Sequence, residues 1–271
     1  MWTSPTIDLK RRALYVGTGN AYTEPAARGS DAIVAFDLDT GKRLWTSQLM
    51  ANDSYVRDCP GKYRPNVPTE NKSETCPDNL GPDMDFAQAP MLRTLPDGRT
   101  LIVAGQKDGH VWGLDPDKQG AVVWSRLVGL GLEGGGALMW GAASDDRLAY
   151  FPITRASQPL GLTAVNTATG EIAWRASPPE GGGAPVSVVP GIVFFGSSAG
   201  TMYAYSTTDG KALWQFDTAR EFETVNGVAA KGGNINAAGP VVAGGMVFMT
   251  SGYSDLGGGV RGNVLLAFAV P

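Results

Sequence analysis

Histidine and cysteine are nearly missing from these 271 residues: there is one of the first, His110, and two of the second, Cys59 and Cys76. That inventory builds no His cluster, no Cys-x-x-Cys pair and no haem-attachment Cys-x-x-Cys-His. A Ser-His-Asp triad would have to use His110, which stands in the strand-entry turn "KDGHVWGLD", and is set aside. Long apolar runs are absent too, and with no stretch of 18 such residues there is no membrane span. Charge is sparse: DEKR make up 18%, the net charge is −4, and Lys and Arg are scattered, which argues against a surface for a phosphate backbone and sets nucleic acid aside. The N-terminus "MWTSPTIDLKRRALYVG" has neither a basic n-region nor an apolar h-region, so no export signal is visible. It starts inside a strand pattern, as expected of a chain cut from a longer protein.

What is abundant is glycine, 37 residues, with 18 prolines and 43% hydrophobic residues, a balance that suits one large all-β domain. The segments "AFDLDTGKRLW" (35–45), "GLDPDKQGAVVW" (113–124), "AVNTATGEIAW" (164–174) and "AYSTTDGKALW" (204–214) share one plan. Each is an apolar strand, a polar turn with glycine and a strand carrying tryptophan, which makes a hairpin. Trp45, Trp124, Trp174 and Trp214 are 79, 50 and 40 residues apart. A period near 40 with one Trp per unit is that of a four-stranded propeller blade, and the first interval is one blade plus an insertion. The expected blades are 1–49, 82–130, 134–180, 182–219 and 228–271, with an inserted loop at 50–81. The third is expected to open with the strand "ALMWGAA" (137–143). The last stops after three strands, so the chain reads as the C-terminal part of a larger ring; the alternative is a closed five-bladed ring.

The pattern Ala-x-Asp-x-x-Thr-Gly-x-x-x-Trp, met by Ala35, Asp37, Thr40, Gly41 and Trp45, resembles the tryptophan-docking repeat of pyrroloquinoline quinone (PQQ) dehydrogenases. The whole chain is similar to their polyvinyl alcohol dehydrogenase branch. That resemblance implies an all-β propeller of the quinoprotein alcohol dehydrogenase type, eight-bladed in the parent, with about five blades here. It also implies PQQ-dependent oxidation of an alcohol, secondary or polymeric, with Ca²⁺ as Lewis acid and cytochrome c as electron acceptor. Three stretches carry its site. "GTGN" (17–20) supplies a calcium ligand, Asn20, whose amide oxygen is a hard donor; read alone it is a turn. In "GPDMDFAQAP" (81–90), Asp85 takes the place of the catalytic base beside calcium. Met84 stands where a tryptophan is usual, which leaves Asp83 a rival. In "VAGQKDGHVWGLD" (103–115), Lys107 takes the place of the cation that hydrogen-bonds the quinone oxygens; alone it is a turn lysine. Trp2 takes the place of the tryptophan that stacks under the flat cofactor, and Lys231 or Asn234 would close the same funnel. Ala87 occupies the position of the additional aspartate of lanthanide-dependent relatives, so calcium is the expected metal. The glutamate ligand of an earlier blade is not in this chain.

The inserted loop holds both cysteines. A Cys59–Cys76 disulfide is the natural reading of the pair and places the protein in the periplasm; two free thiols is the alternative. The docking repeat also occurs in non-catalytic scaffolds of the cell envelope, which would need none of Asn20, Asp85 or Lys107.

Overall fold

A computed structural model of the chain describes residues 3–131, 136–154, 160–178, 182, 184–236, 238–253 and 259–269. Strands dominate these residues, joined by turns and two three-residue 3-10 helices; no helix among them is long and apolar enough to cross a membrane. They fall into two compact units.

The first unit holds two antiparallel four-stranded meanders. One is β1 (Thr6–Asp8), β2 (Ala13–Gly17), β3 (Ala32–Asp37) and β4 (Arg43–Gln48). The next is β5 (Met91–Thr94), β6 (Thr100–Gly105), β7 (His110–Asp115) and β8 (Ala121–Leu127). The second unit repeats the plan with β9 (Ala143–Ser144), β10 (Leu148–Ile153), β11 (Gly161–Asn166) and β12 (Ile172–Ala176), then β13 (Ser187–Val189), β14 (Ile192–Gly196), β15 (Thr201–Ser206) and β16 (Ala212–Asp217). A small hairpin follows, β17 (Glu221–Phe222) with β18 (Ala230–Lys231), and then a three-stranded sheet, β19 (Val241–Ala243), β20 (Met246–Ser251) and β21 (Val264–Ala269).

The same register recurs in all four four-stranded sheets. Trp45 faces Ala35, Trp124 faces Gly113, Trp174 faces Ala164 and Trp214 faces Ala204, and each third strand bulges just after that small residue. The small residue leaves room for the indole: a Cβ on Gly113 would come within 2.2 Å of Trp124. Its neighbour on the second strand is Tyr15 or Tyr150, whose ring centroid lies 5.7 Å from Trp45 or Trp174 respectively. The outer face of the indole then meets the glycine turn of a following sheet. Gly120 (φ +74°) lies against Trp45 and Gly210 (φ +71°) against Trp174, each close enough that a Cβ would approach the ring to 2.5 Å. Trp174 Nε1 donates to Thr207 O at 3.0 Å. Glycine in these turns is therefore required twice, by its dihedral and by the indole.

Two details depart from expectation. Residues 137–142 are not part of the first strand of the third sheet, which is only Ala143–Ser144; Ala137 is instead fully buried in the first unit, its N–H donating to Lys107 O at 2.7 Å. The hairpin β17–β18 lies outside the repeat altogether. Cys59 and Cys76 form a disulfide, packed with Tyr55 and Leu80 in a small cluster of its own.

Docking separates tryptophans that look alike in sequence. Trp174 is 8% exposed, whereas Trp214 is 37% exposed. Trp174→Ala should lower the unfolding free energy by about 3–4 kcal/mol and Trp214→Ala by about 1 kcal/mol, as read from urea denaturation. Equal losses would show that the stack on the glycine turn contributes nothing.

Candidate functional site

β2 runs out of sheet at Gly17, and the two glycines that follow from it have separate reasons. A Cβ on Gly17 would lie 2.7 Å from Phe86 Cβ, and one on Gly19 would lie 2.8 Å from Asp85 Oδ1. The strand end is thus bare so that residues 85 and 86 can lie against it. Phe86, fully buried with Tyr15, Ile33 and Ile102, anchors this segment at about 2–3 kcal/mol for such a side chain. Residues 81–87 have no regular secondary structure, yet their backbone is held. Phe86 N donates to Thr18 O at 3.1 Å, and Lys107 N to Asp85 O at 3.0 Å. Gln106 Nε2 donates to Met84 O at 2.9 Å.

Three of the residues singled out in the sequence converge here. Lys107, 3% exposed, follows β6 and sends Nζ to Asp85 Oδ2 at 2.5 Å and to Asp83 Oδ1 at 2.9 Å. The other oxygen of Asp85 accepts Asn20 N–H at 2.6 Å. Asn20 Nδ2 donates to Ala21 O and to Tyr55 O, both at 2.8 Å, so the amide nitrogen is occupied by backbone and the amide oxygen is the end left for a ligand. These side chains, with Thr18, Gly19, Tyr22, Tyr55 and Arg57, line a cavity of about 630 Å³, within the size range of small-molecule sites. Lys231 and Asn234 belong to the second unit, and Trp2 lies outside the described residues. His110 pairs with Asp108 at 2.6 Å.

Two buried acids near this cavity gave no signal in the sequence. Asp31, just before β3, and Asp53, in the inserted loop, are both 0% exposed; in the sequence each reads as a polar turn residue. Neither oxygen of Asp31 has a hydrogen-bond partner among the described residues. Burial, then the charges of Asp53 and Asp85, push its carboxyl up to about 8, with the Ser30 hydroxyl pulling weakly the other way. Burial also raises Asp53, against the N–H groups of Met84 and Asp83. Asp83 is raised to about 6 by burial, with Lys107 opposing. For Lys107 burial disfavours the charge, but Asp85 and Asp83 outweigh it and its pKa rises.

The oxygens facing the cavity, on Asn20, Asp83 and Asp85, are hard donors and fit a hard cation in kind. They supply part of the six to eight oxygens calcium takes, and among the described residues no three His, Cys, Asp or Glu side chains are disposed to hold a metal ion. For a flat, anionic cofactor, the cavity offers its volume and the cations Lys107 and Arg57.

Comparison with known proteins agrees with the repeat. A polyvinylalcohol dehydrogenase of Pseudomonas sp is 39% identical over 295 residues, covering 100% of this chain and 44% of that protein. One of Sphingopyxis sp. (strain 113P3) is 38% identical with the same coverage. Along its whole length the chain is similar to the polyvinylalcohol dehydrogenases. It spans less than half the length of these relatives. A family model described as outer membrane protein assembly factor BamB matches residues 160–269. Quinohemoprotein alcohol dehydrogenase ADHIIG of Pseudomonas putida HK5 superposes with a TM-score of 0.64 at 16% identity, over 95% of this chain and 45% of that one. That likeness is one of fold: the chain is all-β, of the quinoprotein alcohol dehydrogenase propeller type.

The raised acids make stability fall with pH. Asp31 titrates near 3.8 when unfolded and about 8 when folded, so the folded chain keeps a proton that the unfolded chain gives up in between. The stabilisation is full below pH 4 and is lost as pH rises toward 8, Asp83 adding to the same trend up to about 6. Unfolding free energy should drop by about 2 kcal/mol or more from pH 5 to 8, and Asp31→Asn should flatten most of that slope. A flat profile in the unsubstituted chain would contradict the assignment.

Proposed function

We propose that this chain contributes the acid–base wall of a PQQ-dependent alcohol oxidation site. The carrying observation is the contact of Lys107 Nζ with both Asp83 and Asp85, beside Asn20, at the wall of one cavity, in a chain 39% identical to a polyvinylalcohol dehydrogenase. Oxidising an alcohol removes a proton from oxygen and a hydride from carbon. When bound, PQQ is the hydride acceptor and calcium the Lewis acid at its carbonyl.

The residues of the chain do the rest. Asp85 takes the hydroxyl proton through Oδ2, while Asn20 N–H keeps Oδ1 in place. Lys107 can release Oδ2 without losing a partner, because Asp83 holds the same ammonium. With PQQ bound, the same ammonium would face the cofactor oxygens, where a cation stabilises negative charge. The amide oxygen of Asn20 and Asp85 would hold the calcium, and Trp2 would stack on the cofactor. The exposed Tyr22 at the mouth of the cavity suits a secondary or polymeric alcohol that enters from solvent. Electrons would leave to a cytochrome c, and the disulfide suits the periplasm. A scaffold role is the second reading, favoured by the family model at 160–269; that segment contains none of Asn20, Asp83, Asp85 and Lys107.

In the intact protein, Asp85→Asn should lower kcat about 100-fold or more while the chain still folds. Full activity of this variant together with inactivity of Asp83→Asn would assign the base to Asp83. Full activity of both would contradict the proposed chemistry.

A further inference from the structure

Asp53 is fully buried, and its two oxygens go to consecutive backbone donors. Asp83 N donates to Oδ1 at 3.2 Å and Met84 N to Oδ2 at 2.7 Å. Only a carboxylate offers two equivalent acceptors for adjacent N–H groups, and buried N–H groups left unpaired are costly. Gly81 shows that the loop is shaped around this carboxylate, since a Cβ there would lie 2.2 Å from Asp53 Oδ1. Asp83 itself sits at φ +66°, a conformation that an L-residue keeps only when its surroundings hold it.

The residues on either side of Asp53 act on the other half of the site. Ala21 N donates to Asp53 O at 2.9 Å, Tyr55 N to Ala21 O at 2.8 Å and Gly81 N to Ser54 O at 2.7 Å. Tyr55 O accepts Asn20 Nδ2. The segment 53–55 therefore lies between the strand end that carries Asn20 and the loop that carries Asp85, bonded to both. Tyr55 and Leu80 in turn pack on the Cys59–Cys76 disulfide, so the inserted loop reaches the cavity through this segment.

We infer that Asp53 is a positioning residue for the acidic pair, and that the disulfide-stapled insertion exists to deliver it. It touches neither cofactor nor substrate; it fixes the backbone from which Asp83 and Asp85 reach Lys107. This deepens the reading of Asp85 as the base and rests on it for the catalytic consequence, but not for the structural one.

Residue-resolved amide hydrogen exchange on Asp53→Ala, paired with alcohol turnover of the same variant in the intact protein, tests it. Exchange at Asp83 and Met84 should accelerate at least about tenfold, with Ile102 and Val103 in β6 unchanged. Turnover should show kcat down about tenfold and KM nearly constant, as expected when a reacting group is misplaced rather than lost. Asp53→Asn, which keeps one acceptor oxygen, should fall between in both readouts, and it serves alone if the alanine variant does not fold. Unchanged exchange at residues 83 and 84, or a loss of protection spread evenly over β6, would overturn the inference. A wild-type protein without alcohol turnover would instead overturn the reading of the site, and the exchange data would still decide the role of Asp53.

Discussion

The contact of one buried ammonium with two carboxylates is what the rest of the site depends on. Lys107, Asp83 and Asp85 are held at 2.5 and 2.9 Å where solvent scarcely reaches the lysine. Taking such charges out of water costs several kcal/mol per ion, repaid only if geometry and further hydrogen bonds are good. The backbone supplies them: Asn20 N–H to Asp85, Lys107 N–H to Asp85 O, and the carboxylate of Asp53 under Asp83 and Met84. Two carboxylates on one lysine, with Asp31 and Asp53 close by, leave the region short of positive charge. That shortage is why burial can drive Asp31 to about 8 and Asp83 to about 6, and why a hard cation would be welcome there.

Rigid sheets bring these groups to one place. Asn20 follows the end of β2, and Lys107 lies two residues beyond the end of β6. Both strands are set by the same core, in which Tyr15 of β2, Ile102 of β6 and Phe86 of the intervening loop are in one cluster. The tryptophan register then ties each third strand to its fourth. Sheets repeated in this way make a scaffold whose strand ends are fixed in space, so short irregular segments can carry chemistry without secondary structure of their own.

The strands, and three residues that meet at the candidate cavity, were legible in the sequence because they are periodic or sit at strand ends. The Trp-to-small-residue spacing announced the hairpins, and Asn20, Asp85 and Lys107 stood out through motifs around them. Asp31 and Asp53 could not be seen, because an aspartate beside serine in a polar stretch reads as a turn, and only the fold reveals that it is buried. The segment 137–143 misled for the opposite reason. Ala137 and Leu138 are buried outside any strand, Ala137 bonded to the backbone of Lys107, and apolar content alone does not distinguish such a segment from a strand. Gly17 and Gly19 announced a close approach, while what approaches, Phe86 and Asp85, required coordinates.

A cofactor wall built from Asn20, Asp83, Asp85 and Lys107 has one decisive test, a titration of the intact apoprotein with PQQ in the presence and absence of Ca²⁺, followed by the absorbance of the cofactor. Saturable uptake of one PQQ per protein is expected, requiring Ca²⁺ and lost or weakened at least about tenfold in Lys107→Met and Asn20→Ala. Failure of the unsubstituted protein to take up PQQ, or uptake indifferent to both substitutions, would contradict it.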